Sequence, residues 1–359
     1  MAAYIIVAIF PILVGCIFDN TTKGMSANKL GRRRWFALFI AALPMFVLIG
    51  FRNQTIGSDT AAYIYYFCGI DKLDWKYIFD ATTMEPGYIL FTKLIGVFTD
   101  SPLVYQVCCA MVYCIAVTTF ANQLERSHFA FLYFFATLGV YTFMFTGTRQ
   151  SLALSICLLS YVFIKKRKIL PFSIIIAIAF FFHKSSILFA VAYIVYSMPF
   201  GIFSVLLYAL MALLLYFNIG VVQEWFNDQL NYDYGVESTN SGLLFLAIVF
   251  LITVFAIFTI YGYRRESKES VGALNISMIA LVFWVVRLAT RVAERPSYYF
   301  LVFTMVILAY GINSINIRDQ RIIIGIIIGV FCMAMYMYRF TTNYQSYVPY
   351  MFYSLNFWG

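Results

Sequence analysis

Long apolar runs recur along the chain from Tyr4 to Tyr338, and short polar segments separate them. Most runs contain about 15–20 residues, close to the length of an α-helix that crosses the hydrocarbon core of a bilayer. The alternation of apolar and polar residues that marks transmembrane β-strands is absent. The pattern predicts an all-α polytopic integral membrane protein with about twelve transmembrane helices, within bounds of about 11 to 14. The predicted spans are residues 3–18, 35–51, 102–121, 129–145, 150–164, 169–182, 186–200, 201–218, 243–262, 272–289, 297–312 and 322–338.

One apolar segment, PGYILFTKLIGVF at residues 86–98, is too short to span and is interrupted by Lys93. We expect it to lie in the outer membrane interface or to enter the membrane and return. The first segment lacks a basic n-region and a clear cleavage site, so it is interpreted as a retained span. Because no polar block is long enough for a separate soluble domain, residues 1–359 are predicted to form a single polytopic membrane domain. Its polar outer loops are residues 52–101, 219–242 and 290–296.

Basic residues set the orientation of the predicted spans. The net charge is +9, but only 11% of the residues are charged, against about a quarter in soluble proteins. Most Lys and Arg residues fall in alternate loops, with the sequences KGMSANKLGRRR, LERSH, KKRK, YRRESKES and IRDQR. The positive-inside rule makes these loops cytoplasmic and places both termini outside. Because this distribution follows a membrane rule, it does not indicate a nucleic-acid partner.

Cysteine and histidine do not form a metal-binding pattern in the sequence. Most of the seven cysteines lie inside apolar runs, where a free thiol packs as a small hydrophobic group. The two histidines, His128 and His183, have no cysteine cluster beside them. We therefore predict no metal site and no cofactor.

Five arginines fall in polar segments on the predicted outer side, against the charge rule: Arg52, Arg149, Arg287, Arg291 and Arg295; a sixth, Arg339, begins the tail. Arg149 lies in FTGTRQSLALS, at the outward-facing N-terminus of a predicted helix. A cation there opposes the helix dipole by a few tenths to about 1 kcal/mol, unless an anion binds to both the cation and the helix terminus. Two interpretations stay open, namely a bound anion or an ion pair with Asp59 or Glu85.

The segment RLATRVAERP contains three of these arginines, each four residues from the next. On one continuous helix they would form a stripe of like charges that repel one another. We expect Pro296 to end the helix and to leave Arg295 in a turn. Glu294 can pair with Arg291, but this pair would neutralise only one of the three positive charges. A multiply charged anion such as a diphosphate fits the cluster better.

Three other side chains are candidates for proton transfer. His183 lies beside Lys184 in FHKSS, at the outward end of a short apolar run. A histidine there is either a hydrogen-bonded structural group or a general base. Asp59 and Glu85 lie in the turn-like segments GSDT and MEPGY. Each can orient an arginine, bind a sugar hydroxyl or accept its proton, and the sequence does not rank these roles.

These motifs occur in a fixed order along the chain. They are R-x4-G-x-D-T-x2-Y from Arg52, E-P-G-Y from Glu85, G-T-R-Q-S-L-A from Gly147, F-H-K-S-S from Phe182 and R-V-A-E-R from Arg291. The ordered set resembles the EpsG family, which belongs with the Wzy-like polysaccharide polymerases. The resemblance runs from about residue 50 to about residue 300, which is most of the chain.

The resemblance implies a polymerase of a bacterial surface polysaccharide, of the exopolysaccharide, capsule or O-antigen type. Such an enzyme transfers a growing glycan from undecaprenyl diphosphate to the next lipid-linked repeat unit. It would be a multi-pass protein of the bacterial cytoplasmic membrane with its active site facing outside. Its partners would be the undecaprenyl-diphosphate-linked oligosaccharide and the lipid bilayer, and a chain-length regulator and a flippase are further expected partners.

The residues and the resemblance together predict a metal-independent glycosyl transfer, in which guanidinium groups stabilise the diphosphate leaving group in place of a metal ion. The predicted diphosphate ligands are Arg149, Arg291, Arg295 and Arg52. The predicted catalytic residues are His183, Asp59 and Glu85. We favour His183, because a neutral imidazole near pH 7 suits proton abstraction. The predicted supporting residues are Gln150, Lys184, Arg287, Glu294 and Tyr63.

Two other functions stay open at this level. A flippase or transporter of lipid-linked oligosaccharides also has many spans, but it needs cations along a central cavity, whereas in this chain they gather at one predicted face. A membrane acyltransferase that modifies the polysaccharide needs a histidine served from the cytoplasm. The predicted cytoplasmic histidine, His128, lies in the short loop LERSH and has the pattern of an ordinary solvated residue.

Overall fold

The computed structural model describes residues 1–22, 27–80, 82–230, 242–342 and 347–353. The described chain is built from helices, and its one β-type contact is an isolated antiparallel bridge between Arg52 and Phe352. The all-α prediction is therefore confirmed for the described residues. Parts of the predicted outer loop 219–242 and of the aromatic tail, namely residues 231–241, 343–346 and 354–359, lie outside them.

The α-helices of the described residues follow one another along most of the chain. In chain order they are α1 Ala2–Thr21, α2 Ala27–Gly50, α3 Thr60–Asp71, α4 Pro86–Gly96, α5 Pro102–Gln123, α6 His128–Thr137, α7 Val140–Phe143, α8 Thr148–Leu159, α9 Tyr161–Lys165, α10 Ile169–Phe182, α11 Ala190–Val195, α12 Ile202–Phe217, α13 Ile219–Leu230, α14 Leu243–Gly262, α15 Lys268–Val286, α16 Glu294–Ser314 and α17 Arg318–Thr342. Two short 3-10 helices, Lys184–Phe189 and Arg291–Ala293, precede α11 and α16.

Seven of the described helices are long and apolar enough to cross a membrane: α1, α2, α5, α14, α15, α16 and α17. They coincide with seven of the predicted spans and support a multi-pass membrane protein. The other five predicted spans, between residues 129 and 218, contain the shorter helices α6 to α12. The total of about twelve crossings and the outside location of both termini stay predictions.

The predicted span 129–145 consists of two helices because the backbone turns at Gly139. This residue follows α6 with a φ angle of 104°, in the left-handed region that favours glycine. A Cβ atom at this position would overlap Nη1 of Arg339, in the last turn of α17. The same nitrogen donates a hydrogen bond of 3.2 Å to Oγ1 of Thr142 in α7. The break in the apolar run thus makes room for a distant arginine.

The helices group into two compact units. The first unit contains Met1–Val162, Ile174–His183 and Ile327–Gly359, and the second contains Phe163–Ser173 and Lys184–Ile326. The prediction of a single membrane domain over residues 1–359 is not decided by this grouping. In the first unit, α5 packs against α2 and α8, and α1 packs against α2 and α6. The short helices α3 and α4 pack against each other over a small core of Ile70, Ile78 and Ile89.

Helix α4 explains the lysine that interrupts the apolar segment 86–98. The helix has 11 residues, so at about 1.5 Å per residue it is too short to cross a bilayer. Lys93 is 7% exposed and donates a hydrogen bond of 2.7 Å to the carbonyl oxygen of Asp71, at the end of α3. The lysine therefore joins the two short helices, while Leu94 and Phe98 are exposed. The interfacial or re-entrant placement of this segment stays a prediction.

In the second unit, α15 packs against α12, α14 and α16. Glu269, in the first turn of α15, is 1% exposed. Its carboxylate accepts hydrogen bonds from Nζ of Lys165 and, at 2.8 Å, from the hydroxyl of Tyr310 in α16. This buried cluster joins α9, α15 and α16 at residues that no sequence motif marks.

Candidate functional site

Arg149 forms an ion pair with Glu85 in the first unit. Nη1 of Arg149 donates to Oε2 of Glu85 at 2.5 Å. Arg149 is the second residue of α8, after Gly147 at the N-cap position, and Glu85 occupies the N-cap position of α4 with extended backbone geometry before Pro86. Of the two interpretations of Arg149 that the sequence left open, an ion pair with Glu85 is therefore present in this structure.

The two partners differ in exposure. The side chain of Glu85 is 2% exposed, whereas that of Arg149 is 23% exposed. A buried carboxylate without a cation is costly, so the guanidinium is needed to keep Glu85 charged. The opposite dependence is weaker, because part of Arg149 is still accessible to solvent or to a ligand.

A second side chain lies beside the guanidinium from α3. The hydroxyl of Tyr63 is close enough to Arg149 for the two groups to interact electrostatically. Burial raises the pKa of the Tyr63 hydroxyl, and the neighbouring Arg149 guanidinium acts in the opposite direction. With the pKa above its ordinary value, the hydroxyl is neutral at physiological pH. Behind it, Tyr63 packs edge-on against Tyr88, whose hydroxyl lies 2.6 Å from that of Tyr105. Tyr63, predicted as a supporting residue, is therefore placed beside Arg149.

One nitrogen of Arg149 has no partner in the described part of the chain. Its Nε atom is buried and lacks a hydrogen-bond acceptor among the described residues. A guanidinium binds carboxylate or phosphate through two parallel N–H groups, and Nε supplies one of them on the side edge. Nη1 of Arg149 therefore binds Glu85, and the Nε donor on the other edge of the guanidinium has no acceptor among the described residues. Gln150, predicted as a supporting residue, follows Arg149 and is 3% exposed.

His183 is close to the start of α4. It follows the last residue of α10, is 6% exposed, and its backbone N–H donates to the carbonyl oxygen of Ala179 at 3.0 Å. A Cβ atom at Gly87 would lie 2.8 Å from the carbonyl oxygen of Phe181. The E-P-G-Y motif thereby contacts Phe181, the residue directly before the F-H-K-S-S motif. Gly87 was not among the predicted site residues, although a glycine next to a helix-starting proline is a signal of close backbone approach.

Asp59 is at the N-cap position of α3 and is partly exposed. Its carboxylate accepts a hydrogen bond of 2.9 Å from the hydroxyl of Ser58. Within the described residues, no basic side chain forms an ion pair with it. Of the two acids considered as partners of Arg149, the structure therefore selects Glu85.

Arg52 is 4% exposed and is directed at protein groups. Its Nε donates to Oγ1 of Thr60 at 3.1 Å, Nη1 donates to the carbonyl oxygen of Ile49, and its guanidinium carbon lies 5.7 Å from the centre of the Phe145 ring. Through these contacts Arg52 joins the end of α2, the start of α3 and Phe145. Its role as a diphosphate ligand stays a prediction.

The second unit contains the arginine cluster of residues 287–295, in which Glu294 pairs with Arg287. Nε of Arg287 donates to Oε2 of Glu294 at 3.1 Å, and the hydroxyl of Tyr298 donates to Oε1 at 2.9 Å. Arg291 is exposed. Glu294 therefore pairs with Arg287, which is 4% exposed, and not with Arg291, the partner that the sequence spacing allowed.

Glu294 pairs with Arg287 because the chain stops being helical after Val286 and starts a new helical turn after Thr290. Helix α15 ends at Val286, and Thr290 caps a new 3-10 turn by accepting from the N–H of Val292 at 3.4 Å. Pro296 lies inside the first turn of α16, where proline is tolerated because its missing N–H has no helical acceptor. The expectation that Pro296 ends a helix and leaves Arg295 in a turn is wrong, because Arg295 is the second residue of α16.

Within the described residues, no group of three or more His, Cys, Asp or Glu side chains is arranged to hold a metal ion.

The profile of the EpsG family matches residues 35–352. The chain belongs to the EpsG family. No curated protein and no solved structure matches it.

EpsG is a Wzy-like polysaccharide polymerase family, so membership gives this chain a polymerase role in exopolysaccharide biosynthesis. All five motifs that carried the resemblance lie inside the matched range. In this EpsG-family chain, Tyr63, Glu85 and Arg149 are brought together in the first unit. Lys184, Arg287, Arg291, Glu294 and Arg295 belong to the second unit.

Proposed function

We propose that this EpsG-family protein polymerises a bacterial surface polysaccharide at the outer face of the cytoplasmic membrane. It transfers a growing glycan from undecaprenyl diphosphate to the next lipid-linked repeat unit. Membership of a polysaccharide polymerase family supports the polymerase role. The concentration of Lys and Arg in alternate loops supports the outward orientation of the motifs.

The observation that carries the proposal is the state of Arg149. Its guanidinium is held by Glu85 beside Tyr63 but is still 23% exposed, and its buried Nε lacks an acceptor among the described residues. A pre-positioned guanidinium with a vacant donor edge is suited to bind a phosphate group through two hydrogen bonds. The N-terminus of α8 adds the positive end of a helix dipole at the same place.

In the proposed reaction, a hydroxyl oxygen of the acceptor sugar forms a bond with the anomeric carbon of the growing glycan. The bond from that carbon to the diphosphate oxygen breaks, and the diphosphate leaves on its lipid. Arg149 stabilises the negative charge that develops on the leaving oxygen, which lowers the barrier because the guanidinium is already in place. The proton of the acceptor hydroxyl passes to a general base.

We assign the base role to His183 and a positioning role to Glu85. A carboxylate in contact with a guanidinium is stabilised in its charged form, so Glu85 is better suited to hold Arg149 than to take a proton. His183 follows α10, whose last turn contacts Gly87, and a neutral imidazole accepts a proton readily near pH 7. Asp59 is the alternative base, since it is partly exposed.

Within the second unit, Arg291 and Arg295 are proposed as phosphate-binding residues, because both are exposed, whereas Arg287 is buried against Glu294. In this scheme guanidinium groups supply the positive charge that metal-dependent glycosyltransferases take from a cation. The proposed partners are the lipid-linked oligosaccharide, a chain-length regulator and a flippase.

Reconstitution of the purified protein in lipid with a purified lipid-linked repeat unit tests the proposal. We expect polymer with and without a chelator, and no polymer from Arg149→Ala when the variants are compared at equal amounts of folded protein. Arg149→Lys keeps the charge but loses the two-bond geometry, so its turnover should fall by at least about tenfold. Polymer from Arg149→Ala would overturn the diphosphate role. In cells lacking the protein, accumulation of single lipid-linked units on the inner leaflet would indicate a flippase instead.

A further inference from the structure

The segment of residues 52–60 is tied to the chain that carries Arg149. Arg52 is buried between the end of α2, the start of α3 and Phe145, through its bonds to the Ile49 carbonyl and the Thr60 hydroxyl and its position over the Phe145 ring. Within the described residues Arg52 forms no ion pair with a carboxylate. The guanidinium therefore cross-links backbone and side chains of the protein itself.

Thr60 and Gly57 approach the same carbonyl group. The hydroxyl of Thr60 lies 3.1 Å from the carbonyl oxygen of Phe145 and 2.7 Å from that of Ile56, and it shares its proton between them. Gly57 has a φ angle of 89°, and a Cβ atom there would overlap the Phe145 carbonyl oxygen. Three members of the R-x4-G-x-D-T motif thus converge on Phe145, four residues before Arg149.

The same segment reaches Arg149 a second time through α3. Thr60 is the first residue of α3, and the hydroxyl of Tyr63, one helical turn later, lies beside the guanidinium. A displacement of Thr60 would therefore move both the backbone before Arg149 and the hydroxyl beside its side chain.

The C-terminal tail covers this segment. The N–H of Asn53 donates to the carbonyl oxygen of Met351 at 2.9 Å, and the N–H of Tyr353 donates to that of Phe51 at 2.8 Å. These two bonds form the bridge between Arg52 and Phe352. The tail therefore holds the backbone on both sides of Arg52.

We infer that Arg52 and Thr60 are positioning residues that fix Arg149 for anion binding, rather than ligands of the substrate. The inference rests on the proposed role of Arg149. In this inference the R-x4-G-x-D-T motif has a structural role, because its contacts set the distance between the start of α3 and the start of α8. The diphosphate then meets a guanidinium whose direction is already set, which lowers the entropic cost of binding.

A matched pair of variants at Thr60 tests the inference, with inorganic pyrophosphate as the probe. Thr60→Val keeps the shape and removes the hydroxyl, and Thr60→Ser keeps the hydroxyl. We expect Thr60→Val to weaken pyrophosphate binding by about tenfold or more at an unchanged amount of folded protein, and Thr60→Ser to stay within about twofold of the parent. Equal binding by Thr60→Val and the parent would overturn the inference.

A double-mutant cycle separates positioning from a general loss of structure. If Thr60 acts through Arg149, Thr60→Val has no further effect on the residual pyrophosphate binding of Arg149→Ala. Independent, additive losses would contradict the inference. If Thr60→Val does not fold, Arg52→Lys tests the inference instead. This variant keeps the positive charge and loses the hydrogen bond from Nε to Thr60. Pyrophosphate binding equal to that of the parent would then overturn the inference. The proposed function fails separately, if the parent does not bind pyrophosphate or Arg149→Ala binds it equally well.

Discussion

Glu85 and Arg149 lie 64 residues apart in the sequence and form an ion pair of 2.5 Å. The pair joins the N-cap residue of α4 to the first turn of α8, and it leaves a buried Nε of Arg149 without an acceptor among the described residues. A carboxylate at one edge of the guanidinium competes electrostatically with an anion at another edge. The pair therefore both orients Arg149 and limits its affinity for a phosphate.

We expect Glu85→Gln to raise the affinity for pyrophosphate. Glutamine keeps the size and a hydrogen-bond acceptor for Arg149 but removes the competing negative charge, which is worth about 1–2 kcal/mol at a partly exposed site, or about fivefold to thirtyfold in affinity. Calorimetric titration of the purified protein measures it. Asp80→Asn is the control, since Asp80 is an exposed carboxylate and its removal should change binding by less than about twofold. Unchanged or weaker binding by Glu85→Gln would show that the two anions do not compete.

Gly87→Ala should destabilise the first unit, because its Cβ atom would lie 2.8 Å from the backbone carbonyl of Phe181. Backbone atoms cannot turn aside as a side chain can, so we expect a cost of about 1–3 kcal/mol, seen as a lower midpoint of thermal unfolding. Gly69→Ala is the matched control. Gly69 lies within α3 with open space where its Cβ atom would be, and alanine there should stabilise the helix by up to about 1 kcal/mol. Equal midpoints for the two variants would contradict the close contact.

The lengths of the apolar runs were sufficient to predict the seven long helices, because burial in lipid leaves a continuous signal in the sequence. The same signal does not show where a run breaks. Gly139 divides the predicted span 129–145 because Arg339, far along the chain, occupies the space beside it. A break that depends on a distant partner cannot be inferred from local hydropathy.

The sequence also did not determine which charged residues form ion pairs with each other. The residue types at the site were predicted, since a cation at a helix N-terminus needs an anion, but the choice of Glu85 over Asp59 depends on how α4 packs. The possible Glu294–Arg291 pair required an unbroken helix from Arg291 to Glu294. Thr290 starts a new turn instead, and Glu294 then meets Arg287. Local spacing rules hold only while the helix is unbroken.

The buried cluster of Glu269 should dominate the stability of the second unit. Glu269→Ala would leave Lys165 and the hydroxyl of Tyr310 without this carboxylate, and we expect a loss of about 2–4 kcal/mol in unfolding free energy. Glu266→Ala, an exposed acid three residues earlier, is the control and should cost less than about 0.5 kcal/mol. Thermal unfolding in detergent measures both. Similar midpoints for the two variants would show that the buried cluster does not stabilise the fold.

The arginines of residues 287–295 should separate into a structural and a functional class. Arg287 is 4% exposed and paired with Glu294, so Arg287→Ala leaves a carboxylate without its cation and should lower the midpoint of unfolding. Arg291 is exposed, so Arg291→Ala should leave the midpoint unchanged and still reduce polymer formation by at least about tenfold, through loss of a phosphate-binding residue. Polymer yield and unfolding midpoint, measured on the same preparations, distinguish the two. Because the midpoint is expected to be unchanged, a loss of polymer could not be attributed to unfolding. Normal polymer formation by Arg291→Ala would show that Arg291 does not bind the phosphate groups.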